Sequence, residues 1–246
     1  MKPRTARSSR EDGFFVQRLT DVLLDPAFMA EVADLYVAIF NAKGQGEWGE
    51  SWTRASAIMK LFGQTADDAD RCHLATWRVA GQLAGLCLTY ANRTMESIRP
   101  ADLPPEARSS AVLDVVLAKL MLACGEDVLV LQYRELGIRR EHRGGIEPIA
   151  ALILLSGYPA NDAGAGPAVF WTSSKSRLYP IVIGLGLEPL HRFGDPDDNV
   201  LLVGPSGVMR SRLELAPRRL AATIGLRLAW RRIKNWFGRP AERSLQ

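Results

Sequence analysis

The chain is short of the side chains that staple or metallate a fold: among 246 residues there are three cysteines and three histidines. Cys72, Cys87 and Cys124 are odd in number and stand in apolar surroundings. That pattern reads as small buried hydrophobes in a reducing compartment, not as a disulfide frame. None stands beside a histidine in a nucleophile motif. His73, His142 and His191 share no short ligand spacing, so no metal site is expected. No run approaches the ~18 apolar residues of a membrane span. The basic N-terminus is followed by no apolar stretch of the kind a secretory signal carries. The expected compartment is therefore the cytoplasm.

Net charge is also small, +4, but it is unevenly placed. Residues 1–10 carry four basic groups and no acid, and residues 205–246 carry nine arginines and Lys234 against Glu214 and Glu242. The stretch between them is left at −8. An acidic body is thus flanked by two basic ends, which are read separately from it. With 47% hydrophobic and 24% charged residues the body can bury a substantial core, and disorder is excluded for its bulk. The expected organisation is a basic disordered extension over 1–12, one domain over 13–204, and a basic amphipathic tail over 205–246.

Phe14 to Leu19 predicts a short strand. Asp25-Pro26 predicts an N-cap with proline at the first helical position, opening a helix with Phe28, Val32, Leu35, Tyr36, Ile39 and Phe40 at helical spacing. A glycine-punctuated loop follows, flanked by Trp48 and Trp52, then a helix over about 50–62. Residues 73–80 and 83–90 predict a hairpin around Gly81-Gln82. An apolar helical segment over 106–124 reads as an insertion. Residues 128–138 predict a strand, 149–155 a helix, 168–172 a strand, 174–185 a helix, and 187–193 and 199–203 two last strands. The later strands alternate with helices while 73–90 form a hairpin. The expected class is α/β, with a mixed central β-sheet flanked by helices.

Two segments carry chemistry. In the first, Glu135 to Ile138 lead into Arg139-Arg140-Glu141-His142-Arg143-Gly144-Gly145-Ile146, a strand, a glycine turn and a helix start. Backbone N–H groups at such a helix N-terminus suit a pyrophosphate, glycine lets the anion approach, and Arg143 adds charge-assisted bonding. The second runs Tyr179-Pro180-Ile181-Val182-Ile183-Gly184-Leu185-Gly186-Leu187, a helix ending in glycines. Together with the element order, these segments resemble the GCN5-related N-acetyltransferase superfamily over about residues 13–204. The first is similar to the family's "V-x-P-x-Y-R-G-x-G-I-G", with Ile138, His142 and Arg143-Gly144 at the V, Y and R-G. The second is similar to the helix ending in "Y-x-x-x-G-F".

The resemblance implies an acyl-CoA acyltransferase fold. It also implies transfer of an acetyl or longer acyl group from a thioester donor, acyl-CoA or an acyl carrier protein, to a small-molecule amine by direct attack. Leu136, Ile138, Arg143, Gly144, Gly145 and Ile146 would hold the donor. Glu135 would be the general base, and its other reading is a strand residue paired with Arg134 or Arg139. The family's acidic tyrosine falls on Val182, which leaves Tyr179 as the nearest proton donor, with Ser173, Ser174 and Ser176 as residues that could hold a water. The sequence departs from the family at the glycines: Ile146 and Pro148 stand at glycine positions and Glu147 brings negative charge. A catalytically degenerate binding or scaffold protein is the second reading. The segment over 107–123 would cover an acyl chain or form an outer helix.

In the tail, Leu226, Ala229, Trp230, Ile233, Trp236 and Phe237 fall on one face of a helix over 218–237, opposite Arg227, Arg231 and Lys234. Such a helix suits an anionic membrane surface, giving an expected peripheral place at the inner membrane face, or else docks on the body. Nucleic acid is not expected as a partner.

Overall fold

The computed structural model describes residues 11–41, 51–63, 69–96, 98, 109–162, 164, 166–193 and 199–215. The basic segments 1–10 and 218–237, together with Trp48, lie outside the described residues. Seven strands form one sheet: β1 (Gly13–Arg18), β2 (Cys72–Val79), β3 (Gln82–Arg93), β4 (Leu129–Ile138), β5 (Pro167–Ser173), β6 (Glu188–Phe193) and β7 (Asn199–Pro205). Their spatial order is β1-β2-β3-β4-β5-β7-β6. Only the central pair, β4 with β5, is parallel. The helices are α1 (Leu19–Leu23), α2 (Pro26–Phe40), α3 (Arg54–Phe62), α4 (Ser110–Cys124), α5 (Glu147–Asp162) and α6 (Leu178–Gly184). Residues 206–215 are helical as well.

Local chemistry sets these boundaries. The Asp25 carboxylate accepts from Phe28 N at 3.0 Å and Pro26 opens α2, as the sequence predicts. Helix α3 starts later than expected because Thr53 and Ser56 form a reciprocal capping box that fixes its first turn at Arg54. The hairpin turn falls on Ala80-Gly81, one residue earlier than expected. Both have positive φ, 50° and 76°, as a two-residue turn of this hand requires. The Asp12 carboxylate locks the turn, accepting from Ala80 N at 2.8 Å and Gly81 N at 2.7 Å. Residues 174–177 are a turn, not helix, so α6 is shorter than expected, while α5 extends to Asp162 with Pro159 inside it.

One face of the sheet is covered by α5 and α6, which bury Cys87, Leu131, Tyr133, Ile138, Ala168 and Phe170. On the other, α1 to α3 cover Leu74, Leu86, Leu88 and Tyr90, and α4 covers Val130, Val169, Trp171 and Leu201. Each fully buried aliphatic or aromatic side chain contributes roughly 1.5–3 kcal/mol. Val116 and Leu120 of α4 have no exposure, so the inserted helix is part of the core along that stripe. Cys72 and Cys87 are buried, and burial pushes the Cys87 thiol up to about 12, in keeping with small core hydrophobes.

Candidate active site

The site grows from an irregularity in β4. Opposite β3, Leu88 faces Glu135 while its neighbour Thr89 faces Tyr133, so Arg134 is the extra residue of a β-bulge. Parallel pairing with β5 covers only Leu131–Tyr133 against Ala168–Phe170. Beyond it β4 continues to Ile138 and β5 to Ser173, the latter bonded on its other side to β7. The two central strands part where the bulge turns Arg134 and Glu135 toward the face covered by α2 and α3.

Glu135 is 3% exposed, the one acid among the buried polar and charged side chains of the described residues. The Tyr36 hydroxyl of α2 donates to its Oε2 at 3.3 Å, and Lys60 Nζ of α3 lies 3.6 Å from its Oε1. Lys60 is thus a charged partner that the sequence did not suggest, and the carboxylate is buried rather than exposed. Gly137 makes this possible, since a Cβ there would press within 2.9 Å of Ile39 on α2. Tyr36 meets Trp52 edge-on at 5.3 Å, and Asn41 pins Trp52 by bonding both its backbone N and O. Arg134 donates to the Tyr90 hydroxyl at 3.3 Å, its guanidinium 5.5 Å from that ring.

At the end of β4 the chain passes through a 3₁₀ turn, Arg140–His142, to the glycines. Arg143 Nε donates to Ile138 O at 2.7 Å, and Ile146 O accepts the first α5 bond, from Ala150 N. Burial first, then the positive fields of Arg140 and Arg177, lower the Arg143 guanidinium from its ordinary value. Three guanidiniums thus share one field, opposed in part by the Glu141 carboxylate, and the balance of charge is positive. A Cβ on Gly144 would meet nothing, which leaves the backbone open to a ligand, whereas one on Gly145 would overlap the Glu147 carboxylate. The residues present therefore fit a phosphate group at Gly144 and the arginines. At Gly145 the chain's own Glu147 carboxylate lies over the Cα. Leu136 and Ile138 pack on the α5 side of the sheet.

Tyr179 sits in the first turn of α6, and its hydroxyl accepts from Arg192 Nη2 at 3.4 Å. Val182 is fully buried and offers no proton. His142 packs edge-on against Trp77 at 5.6 Å. The sequence reading missed Lys60, Tyr36 and Arg177 as site residues. Each lies far from Glu135 or Arg143 in the chain, and only the packing of α2, α3 and the turn before α6 brings them in. Among the described residues, no group of three or more His, Cys, Asp and Glu could hold a metal ion, and no helix is long and apolar enough to cross a membrane.

No protein-family model matches the chain, and no curated protein matches it in sequence. Among solved structures it is similar to BjaI, a CoA-dependent acyl-homoserine lactone synthase, with SAM and isopentyl-CoA. The TM-score is 0.56 at 12% identity, over 86% of this chain and 90% of that one. The same synthase with MTA gives 0.54 at 13% identity over the same shares. An apo agmatine N-acetyltransferase mutant gives 0.50 at 15% identity, over 79% of this chain and 100% of that one. The fold is that of the GCN5-related N-acetyltransferases.

Proposed function

We propose that the chain transfers an acyl group from a coenzyme A thioester to a primary amine by direct attack. The observation that carries this reading is the parting of β4 and β5 beside the glycine turn. A strand edge inside a fold calls for a hydrogen-bonding partner, and the amide-bearing arm of coenzyme A has the length and polarity to supply one. Arg140, Arg143, Arg177 and the Gly144 backbone would hold its phosphates. Glu135 takes a proton from the acceptor ammonium, and Lys60 and Tyr36 hold the carboxylate in place. The amine nitrogen then bonds to the thioester carbonyl carbon. As the C–S bond breaks, the electron pair leaves on sulfur, which takes up the second proton lost by nitrogen. With Val182 in place of an acid, the thiolate leaves unaided or with Tyr179. Acetyl and longer acyl groups, on coenzyme A or on an acyl carrier protein, are the donors to compare.

Titration calorimetry with acetyl-CoA and longer acyl-CoA, alongside thiol release across a panel of amines, tests the reading. Binding is expected, and Arg143→Glu should weaken it at least about tenfold, since charge-assisted bonds contribute roughly 1.5–3 kcal/mol each. Neither binding nor turnover would overturn it. That result would favour the second reading, a degenerate scaffold placed at an anionic membrane surface of the cytoplasm through 218–237. Its support is the buried Val182 and the Glu147 carboxylate over Gly145.

A further inference from the structure

On the face of the sheet covered by α2 to α4, two of the buried N–H donors that lack an acceptor stand on the central strands β4 and β5. Gln132 of β4 is 2% exposed and its amide nitrogen meets no partner; Trp171 of β5 is 8% exposed and its indole N–H is in the same position. Gln132 stands opposite Val169 in the parallel pairing, and Trp171 lies two residues beyond Val169 on the same face. The two donors therefore flank the point at which β4 and β5 part. Folded chains rarely leave buried donors unbonded, because the lost hydration is not returned. The unbonded oxygen of Asn92 stands opposite Val130, to the other side of Gln132 from Trp171, so two donors at one seam call for an oxygen acceptor from outside the chain.

The charges around the seam say what kind. Tyr90 lies directly across β3–β4 from Gln132 and holds the Arg134 guanidinium through its hydroxyl and ring. A positive field thus stands beside the two donors. On the far side of the bulge, Glu135 offers the opposite sign. A ligand that spans the bulge meets a carboxylate at one end and N–H donors with a cation at the other.

The geometry points to an acceptor that carries a carboxylate next to its reacting amine, an α-amino acid or a derivative with a free carboxyl group. Its ammonium lies at Glu135, and its carboxylate accepts from Gln132 Nε2 and Trp171 Nε1 in the field of Arg134. This deepens the acyl-transfer reading, on which the fate of the amine rests. It also sets the site against polyamine acceptors, which have no carboxylate to satisfy the two donors.

Matched pairs test it: L-arginine and agmatine, L-ornithine and putrescine, L-methionine and 3-(methylthio)propylamine. Each is titrated calorimetrically into the full chain with and without coenzyme A, and assayed for thiol release from acetyl-CoA and longer acyl-CoA. At least one carboxylated member should bind about tenfold or more tightly than its decarboxylated partner. Gln132→Leu keeps the volume, and Trp171→Phe keeps the ring that packs 5.2 Å from Phe193. Each should narrow the preference at least about threefold, through Kd or KM and not kcat. Equal binding within every pair, preference for the decarboxylated members, no binding at all, or equal weakening of both members by the variants would overturn the inference. Coenzyme A failing to bind in the same titrations would instead count against the acyl-transfer reading, while the amino-acid preference is still read without it.

Discussion

Strand β4 has two neighbours, and it treats them differently. Against β3 it is paired from Leu129 to Ile138, interrupted only at the bulge, whereas against β5 it is paired through Leu131–Tyr133 alone. The first join is a ladder that needs nothing more. The β2–β3 hairpin on its other side is continuous too: its turn is closed by Asp12, and Arg78, 3% exposed, is tied to Glu31 at 2.7 Å and to Gly81 O at 2.6 Å. The second join stops short, and around it stand a buried acid, two unbonded N–H donors and the guanidiniums of Arg134 and Arg143. The continuous join supplies rigidity, and on the proposed reading the interrupted one supplies the chemistry.

The largest expected effect strikes the interrupted join. Glu135→Gln keeps the shape and the Tyr36 contact but removes the proton acceptor, so kcat should fall by about 10²- to 10⁴-fold. Acyl-CoA affinity should move little. A variant that turns over at the wild-type rate would reduce Glu135 to a structural ion-pair partner of Lys60 and would place the base elsewhere.

Next comes the clamp that ends the short join. Tyr133, its last residue, reaches under α5, donates to Ile153 O at 3.4 Å, and leaves no room for a Cβ on Gly157. Gly157→Ala should therefore destabilise by about 1–3 kcal/mol, offset only in part by the roughly 1 kcal/mol that alanine gains in a helix interior. Chemical denaturation measures the loss. In a Tyr133→Phe background the same substitution should cost less, because the obstructing hydroxyl is gone. Equal cost in both backgrounds would show that the hydroxyl is not what limits the close approach of α5 to β4.

How much of this was legible beforehand follows the same division. Locally encoded features could be read directly: Asp25-Pro26 opening α2, the runs at 14–19, 73–80 and 83–90 that give β1 to β3, and the strand–glycine–helix passage around Arg143. The hairpin turn was misplaced by one residue because Gly81 was paired with Gln82, when Ala80 is the residue that takes the other positive φ. Glu135 was legible as a strand carboxylate, but its partner was not. Lys60 belongs to α3, and nothing in the spacing of residues 60 and 135 announces that α3 folds over β4. Gln132 and Trp171 were invisible for a similar reason. A polar residue in an apolar strand acquires meaning only once its neighbours are found to leave it unbonded.

The smallest effect sharpens the comparison from the continuous side. His73 faces Arg18 across β1–β2, and partial burial, then the Arg18 charge, lower the imidazole below its ordinary value. The fold thus favours the neutral ring, while the unfolded chain takes up a proton below about pH 6.5. Stability should fall as pH drops through that value and level off below the folded-state value. One proton changes stability by at most about 1.4 kcal/mol per pH unit, and the half-exposed ring, screened by water, should give less. His73→Gln should flatten this component in denaturation curves between pH 7.5 and 5. An unchanged slope would assign the acid sensitivity to other groups. Asp12 acts in a lower range: its carboxylate is held below the ordinary range by the Gly81 and Ala80 N–H groups, so its contribution is lost only as pH falls below about 4, the unfolded value.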